Sequence, residues 1–108
     1  MMNPPCRGDI IMLDFDPQIG HEQKKRRPAL VISANLFNEL GLAVVCPITR
    51  TKPRHGFHLA LPAHLQTRGC VMTEQIKSLD YVARAGQFIE AAPFGFVQHV
   101  RAVVSQFV

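Results

Sequence analysis

The chain has 108 residues, 47% of them hydrophobic and 19% charged, which suits a single globular domain with one modest core and excludes a disordered tail. Twelve Lys and Arg against eight Asp and Glu give a net charge of +4, so a polyanion is a natural partner class. No apolar run approaches the ~20 residues of a bilayer span, which argues against a membrane location.

The N-terminal MMNPPCRGD lacks a signal-peptide core. Cysteines 6, 46 and 70 are odd in number and far apart, without a CxxC pair. That argues against a disulfide framework or structural zinc site and for reduced thiols in the cytoplasm. Cys46 and Cys70 lie in apolar segments and read as small core residues.

In chain order, Asp9 to Asp14 reads as the first strand, with Ile10, Met12 and Phe15 as core candidates. Residues 15–28 contain Asp-Pro, a glycine and a run of cations, and read as a loop of about a dozen residues, a length usually tied to function. Pro28 then opens a second strand, Ala29 to Ser33, apolar enough to be buried on both faces. Asn35 to Leu40 fits one short helical turn closed by Gly41. Leu42 to Thr49 is a third strand, and Pro47 near its end suggests an edge position or a bulge. Phe57 to Leu61 alternates as a half-buried strand should, and GCVMTEQIKSLD reads as a further strand or two broken by a bend.

The last segment, PFGFVQHVRAVVSQFV, changes period: Val97, Val100, Val104 and Phe107 recur at steps of three and four. This is an amphipathic helix with Pro93 at its first turn. Strands followed by one helix indicate an α+β, mainly β fold with a largely antiparallel sheet curling towards a small barrel.

Three stretches carry candidate chemistry. In GHEQKKRRP, residues 20–28, a charge run is by default solvated surface. However, Arg27 directly precedes Pro28 and a buried strand, so its guanidinium is rigidly placed to grip a phosphate through paired N–H donors. His21 and Glu22 are acid–base candidates beside those cations, while Lys24, Lys25 and Arg26 read as the replaceable, solvated part. The second stretch is Thr49 with Arg50, Lys52 and Arg54, whose loop is uniformly cationic and could line the approach of a nucleic-acid backbone. The third is residues 73–80, where alternation sets Thr73, Gln75 and Lys77 on one face and Glu74 on the other, where it would need a partner.

Metal binding has little support. The histidines at 21, 55, 58, 64 and 99 show no paired ligand spacing, and strand alternation would set His55 and His58 on opposite faces. No glycine-rich nucleotide loop, GxSxG or activated cysteine motif is present, so no cofactor is expected.

GDI, DFDP, GHEQxxxRP, ALVIS, CPIT and TEQIKSLD, in this order over residues 7–80, resemble the MazF/PemK (Kid-type) family of toxin endoribonucleases. The resemblance implies an SH3-like (CcdB/PemK-type) antiparallel β-barrel with a C-terminal α-helix, a homodimer, and metal-independent cleavage of single-stranded RNA at short sequences. By motif it implies Arg27 and Thr49 as leading catalytic residues, with His21, Glu22, Gln23 and Lys24 in the loop bordering RNA and antitoxin. Arg50, Lys52, Arg54, Phe57, Glu74, Gln75 and Lys77 become substrate contacts. Relatives often carry Asp where this chain has Glu74, and the KKR run is an unusual filling of the loop. An acidic, MazE-like antitoxin is the implied partner, since it would mimic the polyanion in the same groove. DNA would be reached only through that antitoxin. The alternatives are a non-catalytic SH3-like RNA-binding module, a CcdB-like gyrase poison, or a degenerate toxin kept as a regulatory partner.

Overall fold

The computed structural model describes residues 2–15 and 26–108. Its strands are β1 (Asp9–Asp14), β2 (Arg26–Val31), β3 (Leu42–Thr49), β4 (His58–Ala60), β5 (Cys70–Met72), β6 (Lys77–Asp80) and β7 (Gln87–Ala91). Helices α1 (Asn35–Asn38) and α2 (Phe94–Val104) and a 3-10 turn, Thr73–Gln75, complete the described elements. All described pairings are antiparallel, and the sheet runs β4-β5-β3-β2-β1-β7 with β6 also on β3. The expected mainly-β fold with a terminal helix is therefore observed, as an open sheet whose ends are β4 and β7.

The sheet separates two apolar clusters. On one face Ile10, Leu30, Cys46, Ile48 and Val71 pack against Val97, Val100 and Val104 of α2. On the other face Ile11, Leu13, Ala29, Val31, Val45 and Leu79 form the second cluster with Tyr81. Strand β2 is apolar on both faces, as its near-continuous run suggested, and β1 is too. The core candidates in β1 are corrected accordingly: Ile10, Ile11 and Leu13 are fully buried, whereas Met12 and Phe15 are only partly covered. Among the described residues no side chain caps the N-terminus of α2, so burial of its valines, worth about 1.5–3 kcal/mol each, is what holds a helix of modest propensity. Phe107 lies beyond the end of α2 and stacks edge-on against Phe57, with centroids 5.2 Å apart.

Two expectations for residues 24–28 need correction. Strand β2 begins at Arg26, not after Pro28, because Asp14↔Arg26, Leu13↔Arg27 and Met12↔Pro28 extend its ladder with β1. Arg26 is also no free cation: it donates to Asp14 Oδ1 at 2.9 Å, to Ala85 O at 2.8 Å and to Gln87 Oε1 at 2.9 Å. Lys24 and Lys25 lie outside the described residues.

Pro47 sits in a central strand rather than at an edge. The Ile32 N–H bond to Val44 O shows that even-numbered β3 residues bond towards β2, so Pro47 turns its nitrogen to the other edge. That edge pairs with β6 as far as Val45 and with β5 from Ile48, and Pro47 falls in the gap, where its missing N–H breaks no ladder bond.

Strand β7 was not anticipated. It completes the β1 edge, and its Glu90 accepts hydrogen bonds from Gln66 N–H at 3.1 Å, Thr67 N–H at 2.7 Å and the Thr67 hydroxyl at 2.6 Å. Partial burial pushes the Glu90 carboxyl up, but these hydrogen bonds, aided by His64, hold it below the usual 4.5. Glu90→Gln is expected to lower stability by about 1–3 kcal/mol at pH 7 in urea denaturation. A group whose folded pKa is depressed contributes above its unfolded pKa, so the deficit of the variant should disappear as pH falls below 4.5 through the folded value.

Candidate active site

Register brings the two leading residues together. Leu13 pairs with Arg27, Ala29 with Pro47 and Thr49 with Cys70, so Arg27, Ala29, Pro47 and Thr49 share one face of the sheet. Arg27 and Thr49 each lie two residues past Ala29↔Pro47, the last pair of the β2–β3 ladder, so both continue from it on that face. Met72, His58 and Lys77 project from the same face, by Met72↔His58 and Val45↔Lys77. The Lys77 ammonium lies 5.6 Å from the centroid of the Phe15 ring.

Thr49 opens into a cavity of about 380 Å3 with Thr51, Arg54, His55, His58, Met72, Glu74 and Gln75. Its hydroxyl lies 3.2 Å from that of Thr51 and accepts from the Thr51 N–H at 3.4 Å. Arg50 is on the opposite face, in a cavity of about 590 Å3 floored by Met12, Pro28, Ile48 and Ile89, with Gln66, Thr67 and Arg68. The cationic loop is thus divided: Arg54 serves the Thr49 face, Arg50 the other, and Lys52 is exposed.

Residues 73–75 form a 3-10 turn, which replaces the expected alternation. Thr73 is fully buried and donates through its hydroxyl to Phe57 O at 2.7 Å, leaving Glu74 and Gln75 at the surface. Glu74 has the partner it needed, since its Oε2 lies 2.9 Å from His58 Nε2 and 3.7 Å from His55 Nε2. Burial raises the Glu74 carboxyl, and the His58 hydrogen bond, its own backbone and the two imidazoles more than offset this, leaving its pKa below 4.5.

This cluster overturns the separation of His55 and His58. The His58 N–H bond to His55 O at 3.1 Å closes a turn over residues 55–58, and β4 begins only at His58. The ring centroids are 4.0 Å apart. His58 is buried while Phe57 is 41% exposed, the reverse of the expected inward positions. Gly56 in RHGFH was the available signal for a turn in place of a strand. The positions of His21, Glu22, Gln23 and Lys24 lie outside the described residues.

The sequence of residues 6–108 matches the family described as PemK-like, MazF-like toxin of type II toxin-antitoxin system. The chain belongs to this family. It is similar to the endoribonuclease toxin ChpB of Escherichia coli (strain K12), 41% identical over 93 residues, 80% of this chain and 78% of that protein. Its fold is similar to that of MazF from Deinococcus radiodurans, with 37% identity and a TM-score of 0.86 over 97% of this chain and 96% of the other. A MazE–MazF complex from the same organism gives a TM-score of 0.90 at 37% identity, with the same coverage.

Gly69 fixes the backbone behind this PemK-like site. Its φ is +116°, and a Cβ there would lie 1.8 Å from Thr49 O and 2.9 Å from Arg50 Cα. Gly69→Ala is therefore expected to cost about 2 kcal/mol or more in urea denaturation. It should also displace the amide resonances of Thr49 and Arg50; unchanged resonances would show that the two backbones do not approach this closely.

Proposed function

We propose that this endoribonuclease, a member of a family of toxins, cleaves single-stranded RNA or mRNA at short sequences without a metal ion. The observation that carries the reading is the shared face of Arg27 and Thr49, bordered by Lys77 on one side and by Arg54, Glu74 and Gln75 on the other. RNA brings its own nucleophile, the 2′-OH, which also distinguishes it from DNA. A base takes that proton, the oxygen attacks the adjacent phosphorus, and an acid protonates the departing 5′-oxygen. The products are a 2′,3′-cyclic phosphate and a 5′-OH.

Negative charge gathers on the phosphoryl oxygens as the bond forms. Arg27 stabilises it through paired N–H donors and Thr49 through its hydroxyl. Glu74, held ionised beside Thr49, is a proton acceptor for the 2′-OH, with Glu22 and His21 the other candidates for acid and base. Gln23, Lys24, Lys52, Arg54, Phe57, Gln75 and Lys77 contact the RNA chain, and Phe57 offers a half-exposed ring on which a base can stack. Arg50 acts from the opposite face, where RNA would have to pass around the strand end.

An acidic, MazE-like antitoxin competes for the same cationic surface, a reading supported by the MazE–MazF complex among the structural relatives. Further parts of the proposal are a homodimer, a cytoplasmic location, and contact with DNA only through the antitoxin. Among the described residues, no helix is long and apolar enough to cross a membrane.

Purified protein with long single-stranded RNA in EDTA should give discrete fragments with 5′-OH ends; intact RNA across varied sequences would remove the proposal. Arg27→Ala should slow cleavage by about 100- to 1000-fold, the usual cost of one prearranged donor, without lowering the melting temperature by more than a few degrees. DNA breaks with intact RNA would instead indicate a gyrase poison.

A further inference from the structure

His55, His58 and Glu74 are more than a hydrogen-bonded trio. One donor atom from each lies within 4.8 Å of the other two, and both imidazole Nε2 atoms face the same carboxylate oxygen at 2.9 and 3.7 Å. In a tetrahedral zinc site with ligand bonds of about 2.0–2.1 Å, neighbouring donors stand ~3.3 Å apart. The two observed separations straddle that value. The remaining gap closes by a swing of His55, whose side chain is 45% exposed, against His58, held at 6%. Two imidazoles and one carboxylate suit zinc, nickel, cobalt or copper rather than magnesium or calcium.

We propose that His55, His58 and Glu74 bind one divalent ion of the zinc class, and that the occupied site inhibits the enzyme by closing the cavity beside Thr49. Without the ion, two backbone amides set the ring tautomers. Arg54 N–H donates to His58 Nδ1 and Phe57 N–H to His55 Nδ1, each at 3.2 Å, which leaves the ring protons on Nε2, aimed at Glu74. Ion entry moves each proton through water from Nε2 to Nδ1, with no net proton release. The two displaced amides, in an exposed loop, turn to solvent, and water entering with the ion accepts from each new Nδ1–H, including that of the buried His58. Glu74 Oε2 changes partner from imidazole N–H to metal. With three protein donors the ion keeps an open position facing Thr49, Arg54 and Gln75, where it holds water or a phosphate oxygen in place of productive RNA.

The inhibitory half rests on the cleavage proposed above; the binding half does not, and a cobalt titration reads it directly. The full chain with Co2+ and a non-thiol reductant should develop visible d–d bands that saturate at one equivalent and disappear on adding Zn2+. His55→Asn and His58→Asn should each weaken Co2+ binding at least about tenfold, whereas His64→Asn should not. His55 is exposed enough for its variant to fold even if that of the buried His58 does not. Absence of bands, bands that survive both substitutions, or near-ultraviolet sulfur-to-cobalt bands indicating cysteine would each overturn the site. One equivalent of Zn2+ should slow RNA cleavage reversibly in the parent, and the ratio of rates with and without zinc should return to one in His55→Asn. Cleavage indifferent to zinc in a protein that binds cobalt would overturn the inhibition and leave the binding site standing.

Discussion

The constraint on which the rest depends is that β3 is bonded along both edges. Strand β2 takes one edge, while β6 and β5 divide the other, with Pro47 in the gap between them. A strand held this way cannot slip by one residue without turning two apolar clusters inside out. Thr49 is the last residue of that strand, backed by Gly69 at a distance only glycine permits. Thr49 and Arg27 are therefore both carried by strands whose register the two apolar clusters fix.

Much of the architecture was legible because local pattern and tertiary role agreed. The limits of β1, the two-faced apolar character of ALVIS, the turn closed by Gly41 and the valine stripe of α2 can each be read from spacing alone. The misreadings occur where partners decide. Strand β7 carries an exposed Phe88 and a Glu90 turned to a neighbouring loop, so QFIEA shows no clean alternation. Pro47 resembled an edge residue because the sequence does not show that one edge of β3 changes partner beside it.

The site divides along the same line. Arg27 and Thr49 stood out by motif, but their common face follows only from the register between β2 and β3. Strand parity then separates Arg50 from Thr49, neighbours in sequence that serve opposite faces. Arg26 looked interchangeable with the lysines before it because a run of cations has no internal contrast; Asp14, Ala85 and Gln87 supply it. The His55–His58–Glu74 cluster depends on a turn at Gly56 and a 3-10 turn at Thr73, local breaks in segments that otherwise imitate strands.

The ion pair of Arg26 with Asp14 has a further consequence. These paired residues are where the sheet gives up the chain and takes it back, and Arg84 grips the outgoing side through Asp14 O and Phe15 O. Closure of the intervening segment is thus accomplished at its root, by groups that belong to the scaffold. Changing the length of such a segment is cheap, since doubling it adds only about 0.6 kcal/mol of closure entropy. A change in the length of chain between Asp14 and Arg26 therefore costs the paired strands little. The strand that carries Arg27 thus has its register set by pairing within the sheet, independent of the chain that leads into it.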